Sequence, residues 1–198
     1  MRAWRKALPA RALIAGGILV GLVQLAVPAA MIYQRNAILA SGAEIVLKTE
    51  PRDPRDPFRG DYVVLNYEIS SVETDAVPGA GDLARKDAVF VTIVPGEGAS
   101  DAAWRIAAID RTFPGTVEAG AHVLKAKVTS VSNWSDRDRV LLRYGIESYF
   151  VPEGQGKDLE NLVRDGDLSV IVAVTEDGQS AIKGLVKNGE TIYDEPLF

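Results

Sequence analysis

The 198-residue chain has no cysteine and only one histidine, His122. Without thiols it has no disulfide framework, no thiolate nucleophile, and no iron–sulfur or cysteine-ligated zinc site. A single imidazole excludes metal centres that need two. Acidic residues are missing from the first 32 positions, which carry Arg2, Arg5, Lys6 and Arg11. The remainder holds all 27 acids against 18 of the 22 basic residues, a net charge of −9. Such a body lacks the clustered Lys and Arg that a phosphate backbone requires, which argues against nucleic acid as a partner. Disorder is not indicated either, at 47% hydrophobic and 25% charged residues.

What is present begins with ALIAGGILVGLVQLAVPAAMI, Ala12 to Ile32, without a charge. As a helix rising about 1.5 Å per residue it covers a hydrocarbon core of roughly 30 Å. The basic flank precedes it, so the positive-inside rule keeps the amino end cytoplasmic and carries everything after Tyr33 across the membrane. Trp4 and Tyr33 suit the two interfaces. Val27-Pro28-Ala29 offers a signal-peptidase-like site, but the run exceeds the usual apolar stretch of a signal peptide, which favours a retained anchor. Gly17 and Gly21 form a G-x-x-x-G pair with Gln24 one turn on, a pattern that lets a second helix approach. Membrane helices are rich in Gly and Ala in any case, so the pair alone speaks weakly.

The organisation expected is a basic cytoplasmic tail (1–11), a transmembrane anchor (12–32), a juxtamembrane connector (33–42) and a β-rich periplasmic domain (43–198). In that domain apolar residues recur with period two or in β-branched runs. Strands are expected at Glu44–Thr49, Tyr62–Ser70, Ala88–Val94, Trp104–Arg111, Val123–Val131, Arg139–Ile146, Leu168–Thr175 and Ser180–Lys187, with a short piece at Thr191–Tyr193. Asp177-Gly178 and Asn188-Gly189 are the strongest hairpin marks. Gly156–Arg164 alone looks helical, with Leu159, Leu162 and Val163 on one stripe and Gly166 as a stop. The fold class is therefore mainly β. A transmembrane helix leads into a compact antiparallel barrel or sandwich of about eight or nine strands with one short helix.

The most distinctive stretch is TEPRDPRDPFRGDYVVLNYEIS, Thr49 to Ser70. Pro51, Pro54 and Pro57 stiffen an extended loop, and Gly60 turns it into a strand. Asp61, Val63, Leu65, Tyr67 and Ile69 then share the expected core face, with Tyr62, Val64, Asn66 and Glu68 opposite. Either the stretch is a charged, preorganised loop for a ligand or protein, or it is a structural corner in which Asp61 caps a turn beside Arg59 or Arg55. Short polar residues next to Pro and Gly favour the corner.

Gly60-Asp61-Tyr62-Val63-Val64-Leu65-Asn66-Tyr67 fits every fixed position of the motif of the bacterial GDYXXLXY proteins, and Asp56-Pro57-Phe58-Arg59 resembles their lead-in. A second block, Tyr144-Gly145-Ile146-Glu147-Ser148-Tyr149-Phe150-Val151-Pro152-Glu153-Gly154, resembles their downstream signature. The anchor is similar too, so the resemblance spans essentially the whole chain. It implies a bacterial, membrane-anchored protein with no assigned activity, and a multi-span membrane protein as a natural partner. It supplies no catalytic residues. The candidate interaction residues in its motif blocks are Asp56, Arg59, Gly60, Asp61, Tyr62, Leu65, Tyr67, Glu153 and Gly154, and the separate G-x-x-x-G pair puts forward Gly17 and Gly21 for helix packing.

Other chemistries find less support. Gly79-Ala80-Gly81-Asp82-Leu83-Ala84 spells a dinucleotide pattern but lacks the strand–turn–helix context; an acidic surface loop is the plainer reading. No G-x-S-x-G elbow accompanies His122. An exported Ser/Lys hydrolase resembling signal peptidases would use Ser41 with Lys125 or Lys127, a lysine activated by desolvation. Asp136 and Asp138, or Asp53, Asp56 and Asp61, lack calcium-loop spacing and alternate with Arg. Asn133-Trp134-Ser135 matches a glycosylation acceptor, which means little in a bacterial setting. Tyr144, Tyr149, Phe150 and Trp134 would be the aromatics of a small-ligand or glycan groove. No cofactor and no metal is expected, and the bilayer is the first partner. A binding or accessory role is expected rather than catalysis.

Overall fold

The computed structural model describes residues 10–50, 62–96, 104–132, 138–150, 159, 162, 163 and 165–195, with the backbone alone described at Ser41, Tyr62, Val63 and Phe150. The chain divides into two units, Met1–Ala37 and Ile38–Phe198.

The first unit is the bulk of one helix, α1 (Ala10–Ser41), 32 residues long, or about 48 Å at 1.5 Å per residue. Its apolar side chains face outward: Leu13, Ile18, Leu22 and Leu25 are 60% exposed or more. A helix that is apolar on every side and covered by no protein is long and apolar enough to cross a membrane. Pro28 lies within it, as membrane helices tolerate. Residues 33–41, expected as part of a connector, are helical. They contain neither Gly nor Pro, and nothing in them stops the helix. The stop is Gly42, where a Cβ would lie 2.8 Å from the Val174 nitrogen and 2.9 Å from the Ile38 carbonyl oxygen.

The second unit opens with Ile38 and Leu39, which pack on Ala173 and Ala181. Its eleven described strands are β1 (Ala43–Lys48), β2 (Tyr62–Val64), β3 (Ser71–Glu73), β4 (Ala88–Pro95), β5 (Trp104–Asp110) and β6 (His122–Ser132), followed by β7 (Arg139–Arg143), β8 (Ser148–Phe150), β9 (Leu168–Val174), β10 (Ser180–Lys187) and β11 (Glu190–Asp194). They form a four-stranded sheet β1-β9-β10-β11, a five-stranded sheet β3-β7-β6-β4-β5 and a ribbon β2-β8. Every pairing is antiparallel. The protein is mainly β, as its period-two patterning predicts.

Alternation explains which sheet face is buried. Val89, Val91 and Ile93 of β4 point inward, as do Leu124, Ala126 and Val128 of β6, whereas Lys125 and Lys127 are exposed. Leu168, Val170, Val172 and Val174 of β9 belong to the same core. The strand's second face is covered too, because Ala173 is fully buried there against Leu39 and Ala181. A nearly continuous apolar run, LSVIVAV with Ser169 the one polar residue, is what such a strand requires. The hairpin at Asn188-Gly189 joins β10 to β11 with both residues at positive φ, 50° and 85°, as a tight two-residue turn demands.

Helical residues are also present at Leu159, Leu162, Val163 and Asp165. Val163 is buried, with Leu159 and Leu162 packed against the core. The Gly166 N–H donates to the Val163 carbonyl and the Asp167 N–H to the Leu162 carbonyl. That pair of bonds closes a helix end at a glycine.

Candidate functional site

The two motif blocks, far apart in sequence, meet in space. β2, within the first block, pairs with β8, within the second: Tyr62 opposes Phe150, Val63 opposes Tyr149 and Val64 opposes Ser148. The chain then leaves the ribbon. The Leu65 N–H donates to the Glu147 carbonyl at 2.8 Å, and Tyr67 bridges to Thr49 at the end of β1. Next to that bridge, the Glu50 N–H donates to the Asn66 carbonyl at 2.8 Å and the Asn66 amide reaches the Glu50 carboxylate at 3.3 Å. Thr49, itself buried, donates its hydroxyl to the Leu168 carbonyl at 2.6 Å. Segments around 49, 66, 146 and 168 are thus tied together.

At the centre are two buried tyrosines. Tyr67 is fully buried and donates its phenol to the Ile146 carbonyl at 2.6 Å. Tyr144, 6% exposed, donates its phenol to the Ile69 carbonyl, also at 2.6 Å. Each phenol ends two residues from the other tyrosine, so the pair forms a reciprocal latch between the blocks. Burial pushes both phenols well above their ordinary pKa, and the nearby Glu147 carboxylate adds to the shift. Both therefore remain protonated donors. Glu147 also accepts from the Tyr144 N–H and, at 3.0 Å, from the Gly145 N–H, holding the turn that aims Tyr144. On the other side of the latch, the Ser70 N–H donates to the Tyr67 carbonyl and Ser70 Oγ accepts from the Tyr67 N–H.

Leu65 and Tyr67 of the motif are 1% and 0% exposed, and Ile69 is 4% exposed. The expected core face is correct over these residues. Their side chains serve the interior, so they offer nothing to a partner directly. Tyr62 is placed by its backbone on β2. Asp56, Arg59, Gly60, Asp61, Glu153 and Gly154, together with the proline-rich loop, lie outside the described residues. Gly17 and Gly21 sit on α1, and a Cβ added to either meets open space. Of the groove aromatics, Tyr144 and Tyr149 are core residues, with Tyr149 edge-on to Tyr193 at 5.5 Å. Phe150 is described by its backbone alone, and Trp134 lies outside the described residues.

The alternative chemistries can be placed as well. Lys125 is exposed and held 3.1 Å from Asp177, and Lys127 is exposed. Neither is the desolvated base that a Ser/Lys mechanism requires. The dinucleotide-like residues 79–84 form turns and irregular chain, with neither strand nor helix among them. Gly79, Gly81, Asp82 and Ala84 are exposed, as in a surface loop, while Ala80 and Leu83 are buried and anchor it to the core. Asp53, Asp56, Asp61, Asp136 and residues 133–135 lie outside the described residues. Among those described, no three His, Asp or Glu side chains gather as metal ligands would.

Sequence reasoning missed an open cleft of about 490 Å³, whose walls include Gly42, Ala43, Phe113, Val117, His122 and Glu176. His122 stacks edge-on to Trp104 at 5.4 Å, and partial burial lowers its pKa. The available signal was TFPGTV, an uncharged hexapeptide (residues 112–117) inside an acidic body.

The family model described as "GDYXXLXY protein" matches residues 24–185. No curated protein and no solved structure matches the chain.

Proposed function

The chain belongs to the GDYXXLXY family, and on that premise we propose that it is a single-pass inner-membrane protein whose periplasmic β domain works by binding. Its partner in this reading is an integral membrane protein, and the domain performs no catalysis. One observation carries the proposal: α1 exposes apolar side chains on every side and no part of its most apolar stretch is buried. Only lipid or other membrane helices match such a surface. The orientation rests on Arg2, Arg5, Lys6 and Arg11 before the span and the net −9 after it. The motif blocks support a binding role indirectly, since their described residues build the corner rather than expose reactive groups.

Topology and partnership are tested separately. A C-terminal alkaline phosphatase fusion is expected to be active and the full chain to resist alkaline carbonate extraction. A fusion active only as a cytosolic reporter overturns the orientation. Gly17→Leu and Gly21→Leu place bulk on the face where a second helix would approach. Both are expected to reduce co-purification of the membrane partner while the β domain keeps its melting behaviour. Unchanged recovery with both variants removes the helix face from the interface.

A further inference from the structure

The cleft beside Gly42 has a property that the anchor alone does not explain. Among the described residues of the β unit, five large apolar side chains are exposed: Phe113, Val117, Leu141, Ile192 and Tyr193. Phe113 and Val117, 41% and 38% exposed, both line this cleft. Gly42 and Ala43, the first residues after α1, line it too. Phe113 is steadied edge-on against Phe90 at 5.4 Å.

Chain length brings this end of the unit close to the bilayer. From Ile32, the last residue of the uncharged run, to Leu39, already packed on Ala173 and Ala181, are seven helical residues. That is about 10 Å, against a headgroup layer of about 5–8 Å. Charge points the same way. A body of net −9 is repelled by an anionic lipid surface, and the segment that can touch it is one without charge. Residues 112–117, TFPGTV, between Arg111 and Glu118, meet that condition and carry both exposed apolar side chains.

We propose that Phe113 and Val117 form a second membrane contact, inserted in the interfacial layer of the bilayer that holds α1, so that the mouth of the cleft faces lipid. A bulky aromatic and a neighbouring aliphatic side chain are suited to that layer. The contact would fix the height and tilt of the β unit above the membrane. This inference rests on α1 being embedded in lipid.

The absence of cysteine makes the test direct, because single-cysteine variants of the full chain take one environment-sensitive fluorophore each. Phe113→Cys, Val117→Cys, Leu25→Cys and Ile192→Cys are reconstituted into vesicles with and without brominated phospholipid. Ile192 is on β11, three strands from β1 in its sheet, about 14 Å away at the usual strand spacing. Labels at 25, 113 and 117 are expected to lose emission in brominated vesicles, while the label at 192 keeps it. Quenching at 25 without quenching at 113 and 117 overturns the second contact and leaves the anchor standing. No quenching at 25 overturns the anchor and the contact together. Equal quenching at 192 also overturns the contact, since the whole unit would then lie on the lipid. If Phe113→Cys loses its fold through the Phe90 contact, Val117→Cys decides the matter.

Discussion

The tyrosine latch and the charged clamps on the surface do the same topological job by different means. The latch joins residues 79 and 75 positions apart with neutral phenols inside the core. The clamps join segments 24 to 139 positions apart with ion pairs in water: Lys125–Asp177 at 3.1 Å, Arg111–Asp87 at 3.0 Å, Arg139–Glu73 at 3.2 Å and Lys183–Glu44 at 2.5 Å. In the core a lost partner leaves a carbonyl with no water to turn to. At the surface water replaces the partner at once. Each clamp therefore contributes less than either buried bond.

Removing both phenols is the strongest way to break this comparison. Tyr67→Phe with Tyr144→Phe strands the Ile146 and Ile69 carbonyls and should cost about 2–6 kcal/mol, at about 1–3 kcal/mol each. Denaturant titration of the full chain in detergent measures it. A loss no greater than that from a broken clamp would refute the distinction.

Alkaline pH tests the same bonds without mutation. Both phenols hold their protons in the folded protein above the ordinary tyrosine pKa. Their contribution is complete below about pH 10, where unfolded tyrosine is protonated too. Above that value the unfolded chain releases protons that the folded one keeps, so stability falls as pH rises, by about 1.4 kcal/mol per unit for each phenol. Melting curves from pH 9 to 11.5 should show the fall in the native protein and lose it in the double Phe variant.

Glu147 lies between the two regimes, half-buried with its carboxylate on the Tyr144 and Gly145 N–H groups. Glu147→Ala should cost about 1–2 kcal/mol, read in the same titration. The smallest effect belongs to the rim. Asp177 is held well below the usual carboxylate range by donors from Gln179, Thr175 and Lys125. Because both partners are exposed, Lys125→Ala should cost less than about 1 kcal/mol, and salt should erase most of that.

Much of the fold was legible because burial writes itself into local periods. The alternation in β4 and β6, the β-branched apolar run of β9 and the Asn188-Gly189 turn all needed only neighbours in sequence. The motif strand was not legible to its end. Tyr62–Ser70 was expected as one strand, yet regular pairing stops at Val64, a 3-10 turn occupies Glu68–Ser70, and β3 begins at Ser71. The reason is a change of partner, from β8 to β7, and no local pattern reports which distant strand will be opposite. Leu65, Tyr67 and Ile69 nevertheless kept their expected inward direction. Arg139–Ile146 ended early for a related reason. After Arg143 the chain turns at Gly145, φ 85°, to bring Tyr144 under the first block. The candidate site was half legible: the motif pointed to the right corner, while the bonds between its blocks needed the third dimension.

The pairing of β1 with β9 has a consequence for how the protein is made. Ala43 opposes Val174 and Lys48 opposes Ser169, so the earliest strand to emerge waits for one more than a hundred residues later. Closing so large a loop before any reward arrives slows folding. Thr49, bonded to Leu168 across 119 positions, finds its partner only late in synthesis. Chains halted before that point would carry an open strand edge ready to pair with a neighbour, so the sheet cannot close until β9 has been made.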